Sequence, residues 1–106
     1  MKFEWDERKQ RSNLKKHLLD FEDAEIVFAG TVITFPDDLK DYGEERWFSL
    51  GLLDDVVVVV SHTDRNDRIR IISMRKANRY EAEIYLTQIA GDKEAQVEFE
   101  EAEGDD

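Results

Sequence analysis

A chain of 106 residues has room for one domain with one modest core, and a hydrophobic fraction of 41% is enough to fill it. The formal net charge is -11 and there is no cysteine, which excludes a disulfide framework and thiolate chemistry. Nothing in the first six residues looks like the apolar core of a signal peptide, and the longest apolar run, residues 56–60, is too short to span a bilayer, so a soluble cytoplasmic protein is expected.

Residues 2–5 alternate polar and apolar side chains and fit a short edge strand. Asp6 then stands as the N-cap of a helix over residues 7–17, with acid in its first turn and Lys15 and Lys16 in its last, as the helix dipole favours. Leu14 is its only large apolar residue, so this helix belongs on the surface. Its Arg8, Lys9, Arg11, Lys15 and Lys16 form either a solvated face or a second anion-contacting patch. Asp20 caps a second helix that turns Ala24, Val27 and Phe28 inward and ends at Gly30.

The β-branched and aromatic residues 31–35 predict a strand, broken by Pro36, Asp37 and Asp38, with a polar loop to Gly43. Residues 45–52 alternate, with Phe48, Leu50 and Leu52 on one side and Trp47, Ser49 and Gly51 on the other. Leu53, Asp54 and Asp55 connect to a strand over residues 56–63, apolar on both faces and so central. A turn at residues 64–67 leads to a last strand over residues 68–74, closing an antiparallel meander. Asn78 and Glu81 form a capping pair for a final helix whose Ala82, Tyr85, Leu86 and Ile89 dock on the sheet before Gly91 ends it. The expected class is α+β: two N-terminal helices, a four-stranded mainly antiparallel sheet and a C-terminal helix.

Charge is unevenly distributed along this chain. Residues 92–106 hold eight acids and one base, a block with too little apolar surface to order itself, so residues 1–91 read as the domain and residues 92–106 as an acidic disordered tail. That tail either solubilises the protein or folds back on its cationic part. Against the acidic background, six cationic side chains fall within positions 65–79: Arg65, Arg68, Arg70, Arg75, Lys76 and Arg79. Such a cluster suits an anionic partner, most simply a phosphate backbone.

The usual catalytic arrangements are missing. The two histidines, His17 and His62, are far apart; no His/Cys set has metal-ligand spacing, and there is no glycine-rich phosphate loop. No metal and no cofactor is therefore expected. Arginines, a strand-end histidine and tyrosines suit metal-free RNA cleavage, in which a 2′-OH attacks the adjacent phosphate and guanidinium groups stabilise the charged phosphorane. Arg65 and Arg75, at strand ends, are the leading catalytic candidates, with Arg46 beside them and His62 as acid or base. The alternatives are an ordinary partly buried strand histidine for His62, a carboxylate partner for Arg46, and a solvated edge-strand face for Arg68 and Arg70.

The chain resembles the BrnT family of bacterial type II toxins, ribonucleases with a RelE-like fold. The resemblance is carried by Phe3-Glu4-Trp5-Asp6, Asn13-Leu14-Lys15-Lys16-His17, Phe21-Glu22-Asp23-Ala24, Gly43-Glu44-Glu45-Arg46-Trp47, Thr63-Asp64-Arg65 and the run from Ile69 to Ala77. It implies a toxin that cleaves RNA and slows translation. It also implies neutralisation by a co-encoded ribbon-helix-helix antitoxin, with DNA bound only through that complex. Carried onto this chain, the family's cationic positions are Arg46, Arg65, Arg75 and Lys76, with His17 in its lysine–histidine motif. RNA contacts are expected at Lys76 and His17 on that ground, and at Arg68, Arg70 and Arg79 as members of the cationic cluster. Three positions depart from the family pattern: Leu18 where glycine is usual, His62 where tyrosine is usual, and Met74 where alanine is usual. Leu18 disfavours a positive-φ turn. A second reading keeps the antitoxin partner and drops the enzyme: the same surface docks the antitoxin, and the complex represses its operon.

Overall fold

The computed structural model describes residues 1–38 and 41–91. The acidic segment 92–106, expected to be a tail, lies outside the described residues.

The chain opens with strand β1 (Lys2–Trp5) and helix α1 (Glu7–His17). Asp6 caps α1 as expected, its carboxylate accepting from the backbone N–H of Arg8 and Lys9, and these bonds hold its pKa below the ordinary value. A 3₁₀ turn (Phe21–Asp23), capped by Asp20, leads into helix α2 (Ala24–Ala29). Strands β2 (Ile33–Pro36), β3 (Trp47–Leu53), β4 (Val56–Arg65) and β5 (Arg68–Lys76) follow, and helix α3 (Arg79–Gly91) closes the described chain. Strands β3, β4 and β5 form the expected antiparallel meander, and β2 joins it antiparallel to β3. Asp54 and Asp55, both at positive φ, make the two-residue β3–β4 turn, which needs that conformation at both positions.

The sheet has five strands rather than four. Its order is β1-β5-β4-β3-β2, with β1 parallel to β5 in the register Lys2↔Arg68 to Trp5↔Ile71. Arg68 and Arg70 therefore do not lie on an edge strand. A four-residue segment carries no local sign of a partner that lies beyond α1, α2 and three strands, so its place had to come from tertiary packing.

β1 covers only the first half of β5, and α1 covers the rest. Asn13, 7% exposed, acts as a surrogate strand there. Its Nδ2 donates to the Met74 carbonyl at 2.9 Å, and its Oδ1 accepts the Met74 N–H at 3.1 Å. A third bond, from Nδ2 to the Leu19 carbonyl at 3.2 Å, fixes the chain leaving the helix. That exit runs through Leu18, the C-cap of α1, at φ 62° and ψ 29°. The expectation from its side chain is thus overturned: the exit needs a left-handed residue, and leucine supplies it at a cost of about 1–2 kcal/mol.

Two cores sandwich the sheet. Phe21, Ala24, Val27, Val58, Val60, Ile71 and Met74 fill the side under the 3₁₀ turn and α2. Leu50, Val57, Val59 and Tyr85 fill the α3 side. The valine run of β4 thus serves both faces, which is why it shows no alternation. Gly51 is where α2 approaches β3 most closely: a Cβ there meets Val27 Cγ1 at 2.6 Å. Asn78 and Glu81 cap α3 reciprocally, at 2.8 and 2.9 Å, and the Tyr85 hydroxyl ties α3 to the Thr31 carbonyl at 2.7 Å.

Candidate nucleic-acid interface

Alternation along β4 defines the faces. Val58 and Val60 enter the α2-side core and His62 follows them; Val57 and Val59 meet α3, and Ser61, Thr63 and Arg65 continue on that side. The ladder transmits this to β5, where Arg75 lies opposite Val59, Arg70 opposite Thr63 and Arg68 opposite Arg65. Uninterrupted alternation puts Arg75 on the face opposite Arg68 and Arg70, because their positions differ by an odd number. The ladder slips between Ser61 and His62, however. Ser73 faces Ser61 while Ile71 faces His62, leaving Ile72 as the extra residue of a bulge. Arg65, Arg68, Arg70 and Arg75 consequently share one face, with α3 covering its Val57–Val59 end.

Three carboxylates organise these guanidiniums. Glu4 of β1 lies 3.4 Å from Arg70 Nη1 and 3.6 Å from Arg68 Nη1. Glu44 bridges Arg65 Nη2 at 3.5 Å and Arg46 Nε at 3.6 Å. These ion pairs are long and partly exposed, each worth about 0–1 kcal/mol, so an anionic ligand can draw the arginines away from them. Arg75 is held differently. It forms two parallel hydrogen bonds with Glu81, at 2.8 and 2.9 Å, and a third to the Lys76 carbonyl. The pair raises the arginine pKa and lowers that of Glu81, so both stay charged. Within these ion pairs five guanidiniums meet three carboxylates, while Asp37, Asp38, Asp41 and Glu45 add negative charge to the cavity beside Arg46.

Arg46 does find the carboxylate its alternative reading anticipated. Its guanidinium also stacks 4.0 Å from the centre of the Tyr42 ring, beside a cavity of ≈ 300 Å³. The remaining candidates are dispersed. Arg79 starts α3 and pairs with Glu83 at 3.3 Å. Lys76 lies opposite Val58, hence on the α2 side, and is exposed. His17 ends α1 and lines a separate pocket with Lys9, Lys16 and Ser73.

His62 is only 3% exposed and points away from the arginine face, its ring edge-on to Phe28 with centroids 5.3 Å apart. Its Nδ1 lies 3.0 Å from Asp64 Oδ1 and its Nε2 2.8 Å from Ser49 Oγ, which in turn lies 2.7 Å from Thr34 Oγ1. A carboxylate only accepts, so Nδ1 carries the proton of the neutral ring and Nε2 accepts from Ser49. Burial lowers the His62 pKa, opposed by Asp64. The order Asp–His–Ser is that of a hydrolase triad, yet Ser49 has no accessible surface. The network works as a clamp across β2, β3 and β4, which is the ordinary strand-histidine reading.

Sequence reading missed the organising residues Glu4, Glu44 and Asn13, and the bulge at Ile72. One signal was available: the apolar positions of this strand are 69, 71, 72 and 74, and two adjacent apolar residues in a period-two strand that then resumes with a shifted phase mark a bulge.

Residues 5–81 match the family described as ribonuclease toxin, BrnT, of type II toxin-antitoxin system. The chain belongs to the BrnT family. No curated protein matches it. BrnT membership makes RNA the expected substrate and an antitoxin the expected partner. The match runs from β1 to the Glu81 that anchors Arg75, and so includes all four arginines of the shared face. Among the described residues, no group of three or more His, Asp or Glu side chains is arranged to hold a metal, and no helix is long and apolar enough to cross a membrane.

Proposed function

We propose that this BrnT chain cuts RNA without a metal, through the face that carries Arg65, Arg68, Arg70 and Arg75. In this reading a ribose 2′-oxygen attacks the neighbouring phosphorus. The bond to the 5′-oxygen breaks, leaving a 2′,3′-cyclic phosphate and a 5′-hydroxyl. Arg65, Arg68 and Arg70 neutralise the phosphorane oxygens, and Arg46 supports Arg65 through their common partner Glu44. Glu4 and Glu44, standing among the guanidiniums, are the acceptors the face offers for the 2′-hydroxyl proton, and solvent water protonates the departing 5′-oxygen. Arg75, bound to Glu81, contributes field and holds α3 against the sheet; His62 contributes only rigidity. Lys76, Arg79 and His17 contact flanking RNA.

The observation that carries the reading is the bulged register, which gathers four arginines on one face. The biological role follows from the resemblance: a RelE-like cytoplasmic toxin that slows translation, held inactive by a co-encoded ribbon-helix-helix antitoxin, with DNA engaged only through the complex.

The test compares wild type with Arg65→Gln/Arg70→Gln for growth arrest and for cleavage of RNA in chelator. Losing oxyanion-type donors costs about 10²–10³ in rate per group, while losing surface ion pairs costs about 1 kcal/mol or less in stability. Cleavage to cyclic phosphate by wild type, with at least a hundred-fold loss in an equally stable variant, is expected. Chelator-sensitive cleavage, or undiminished cleavage by the variant, refutes the mechanism. Antitoxin binding without any cleavage selects the non-catalytic, operon-repressing reading instead.

A further inference from the structure

Outside the arginine face, a pocket of ≈ 200 Å³ opens between α1 and the bulged part of β5. Lys9, Ser12, Lys16 and His17 line it from α1, and Ile72 and Ser73 from β5. It combines three features. No carboxylate lines it, in a chain with 26 acids. Lys9, Lys16 and His17 form no ion pair among the described residues, whereas Arg46, Arg65, Arg68, Arg70, Arg75 and Arg79 each do. Finally, the hydroxyls of Ser12 and Ser73 add neutral donors to the cationic ones, a set that suits an acceptor with several oxygens pointing in different directions.

Ser73 connects this pocket to the face already described. It lies opposite Ser61, on the side of Arg70 and Arg75, and stands between them in β5. At a strand rise of about 3.3 Å per residue, it is about 7–10 Å from each along the chain. The bulge that gathers the arginines also carries Ile72 and Ser73 to the pocket wall, and Asn13 locks α1 beside them through its bonds to Met74.

We propose that this α1–β5 pocket is a second phosphate-binding subsite, taking a phosphodiester of the same RNA strand that lies on the arginine face. The assignment rests on the ribonuclease reading for the identity of the polymer but not for the binding of phosphate. Lys9 and Lys16 supply charge, Ser12 and Ser73 supply hydroxyl donors, and His17 adds a ring N–H. An RNA strand crossing from β4 and β5 towards α1 then meets cations along its whole path, and the subsite fixes which linkage is presented to the arginines.

The experiment uses the full chain and two probes. Inorganic phosphate is titrated while backbone amide and His17 ring resonances are followed by NMR, in wild type and in Lys9→Gln/Lys16→Gln, whose exposed side chains leave the fold intact. Binding of a non-cleavable 2′-O-methyl oligonucleotide is then measured against salt. Saturable shifts at Ser12, His17 and Ser73 that vanish in the variant are expected. The log K versus log salt slope should become shallower by about 0.7, because the variant leaves one phosphate un-neutralised. Equal shifts in both proteins, shifts confined to the arginines, or an unchanged slope overturns the subsite. Pocket shifts and a changed slope in a protein that cleaves nothing uphold the subsite and refute the ribonuclease reading. Cleavage without pocket shifts does the reverse.

Discussion

Replacing Asn13 by alanine tests how α1 is joined to the sheet. The side chain is buried and makes three hydrogen bonds, two of them to the N–H and C=O of Met74, 61 residues away. Alanine leaves both Met74 groups without a partner where β1 no longer covers β5. An orphaned buried backbone group costs about 1–3 kcal/mol. Water reaching one of the two from the strand edge would relieve part of this, so the expected loss is about 3 kcal/mol, a large share of a typical stability of about 5–15 kcal/mol. For a domain of this size each kcal/mol moves the melting temperature by about 4–8 °C, so Asn13→Ala should melt about 12–24 °C below wild type by circular dichroism. Amide exchange at Met74 should accelerate more than exchange at Val59, deep in the sheet. A melting temperature within about 4 °C of wild type, or unchanged protection at Met74, would refute the surrogate-strand account.

Leu18→Gly should stabilise the protein by about 0.5–1 kcal/mol in urea unfolding, because leucine holds φ 62° while 78% exposed and gives up little packing when removed. A destabilised variant would show that the leucine side chain matters more than the backbone. Gly51→Ala should cost about 1–3 kcal/mol by the same assay, since the added methyl meets two β-branched neighbours, Val27 and Val32, at 2.6 and 3.1 Å. Acidification should weaken the fold through His62. Its folded pKa lies below the ordinary value, so its contribution is complete above about pH 6.5 and is lost as pH falls through the folded value. Glu81, also lowered, adds a similar loss only further down, below the ordinary carboxylate range. His62→Tyr should therefore flatten the stability profile between about pH 7 and 5; an unchanged slope there would contradict the buried neutral ring.

The parts of the fold that were legible in the sequence are those governed by neighbouring residues. Asp6 announced its helix, Asn78 and Glu81 announced theirs, and five consecutive valines announced a strand with two dry faces. What stayed hidden depends on distant partners. Nothing local to Lys2-Phe3-Glu4-Trp5 says that its partner is Arg68-Ile69-Arg70-Ile71, and nothing local to Asn13 says that it replaces a strand beside Met74. The site was half legible for the same reason. The arginines were evident as residues, but their common face depends on a ladder slip, and His62 looked suitable by its intrinsic pKa until its side of the strand was known. Leu18 misled in the opposite direction: its side chain does disfavour the left-handed region, and the demand of the chain exit overrides that preference.

The parallel pairing of the first strand with the last has a consequence for how the protein comes into being. During synthesis β1 and α1 emerge first, but the hydrogen-bonding partners of both, Arg68 to Ile71 and Met74, are made late, with only α3 following β5 among the described elements. Long-range closure of this kind delays folding until most of the chain is present. Three of the four arginines on the shared face lie on that same late strand. A ribosome that stalls or terminates early thus releases a fragment that can neither fold nor assemble the cationic face. The topology itself withholds the interface until the domain is nearly complete.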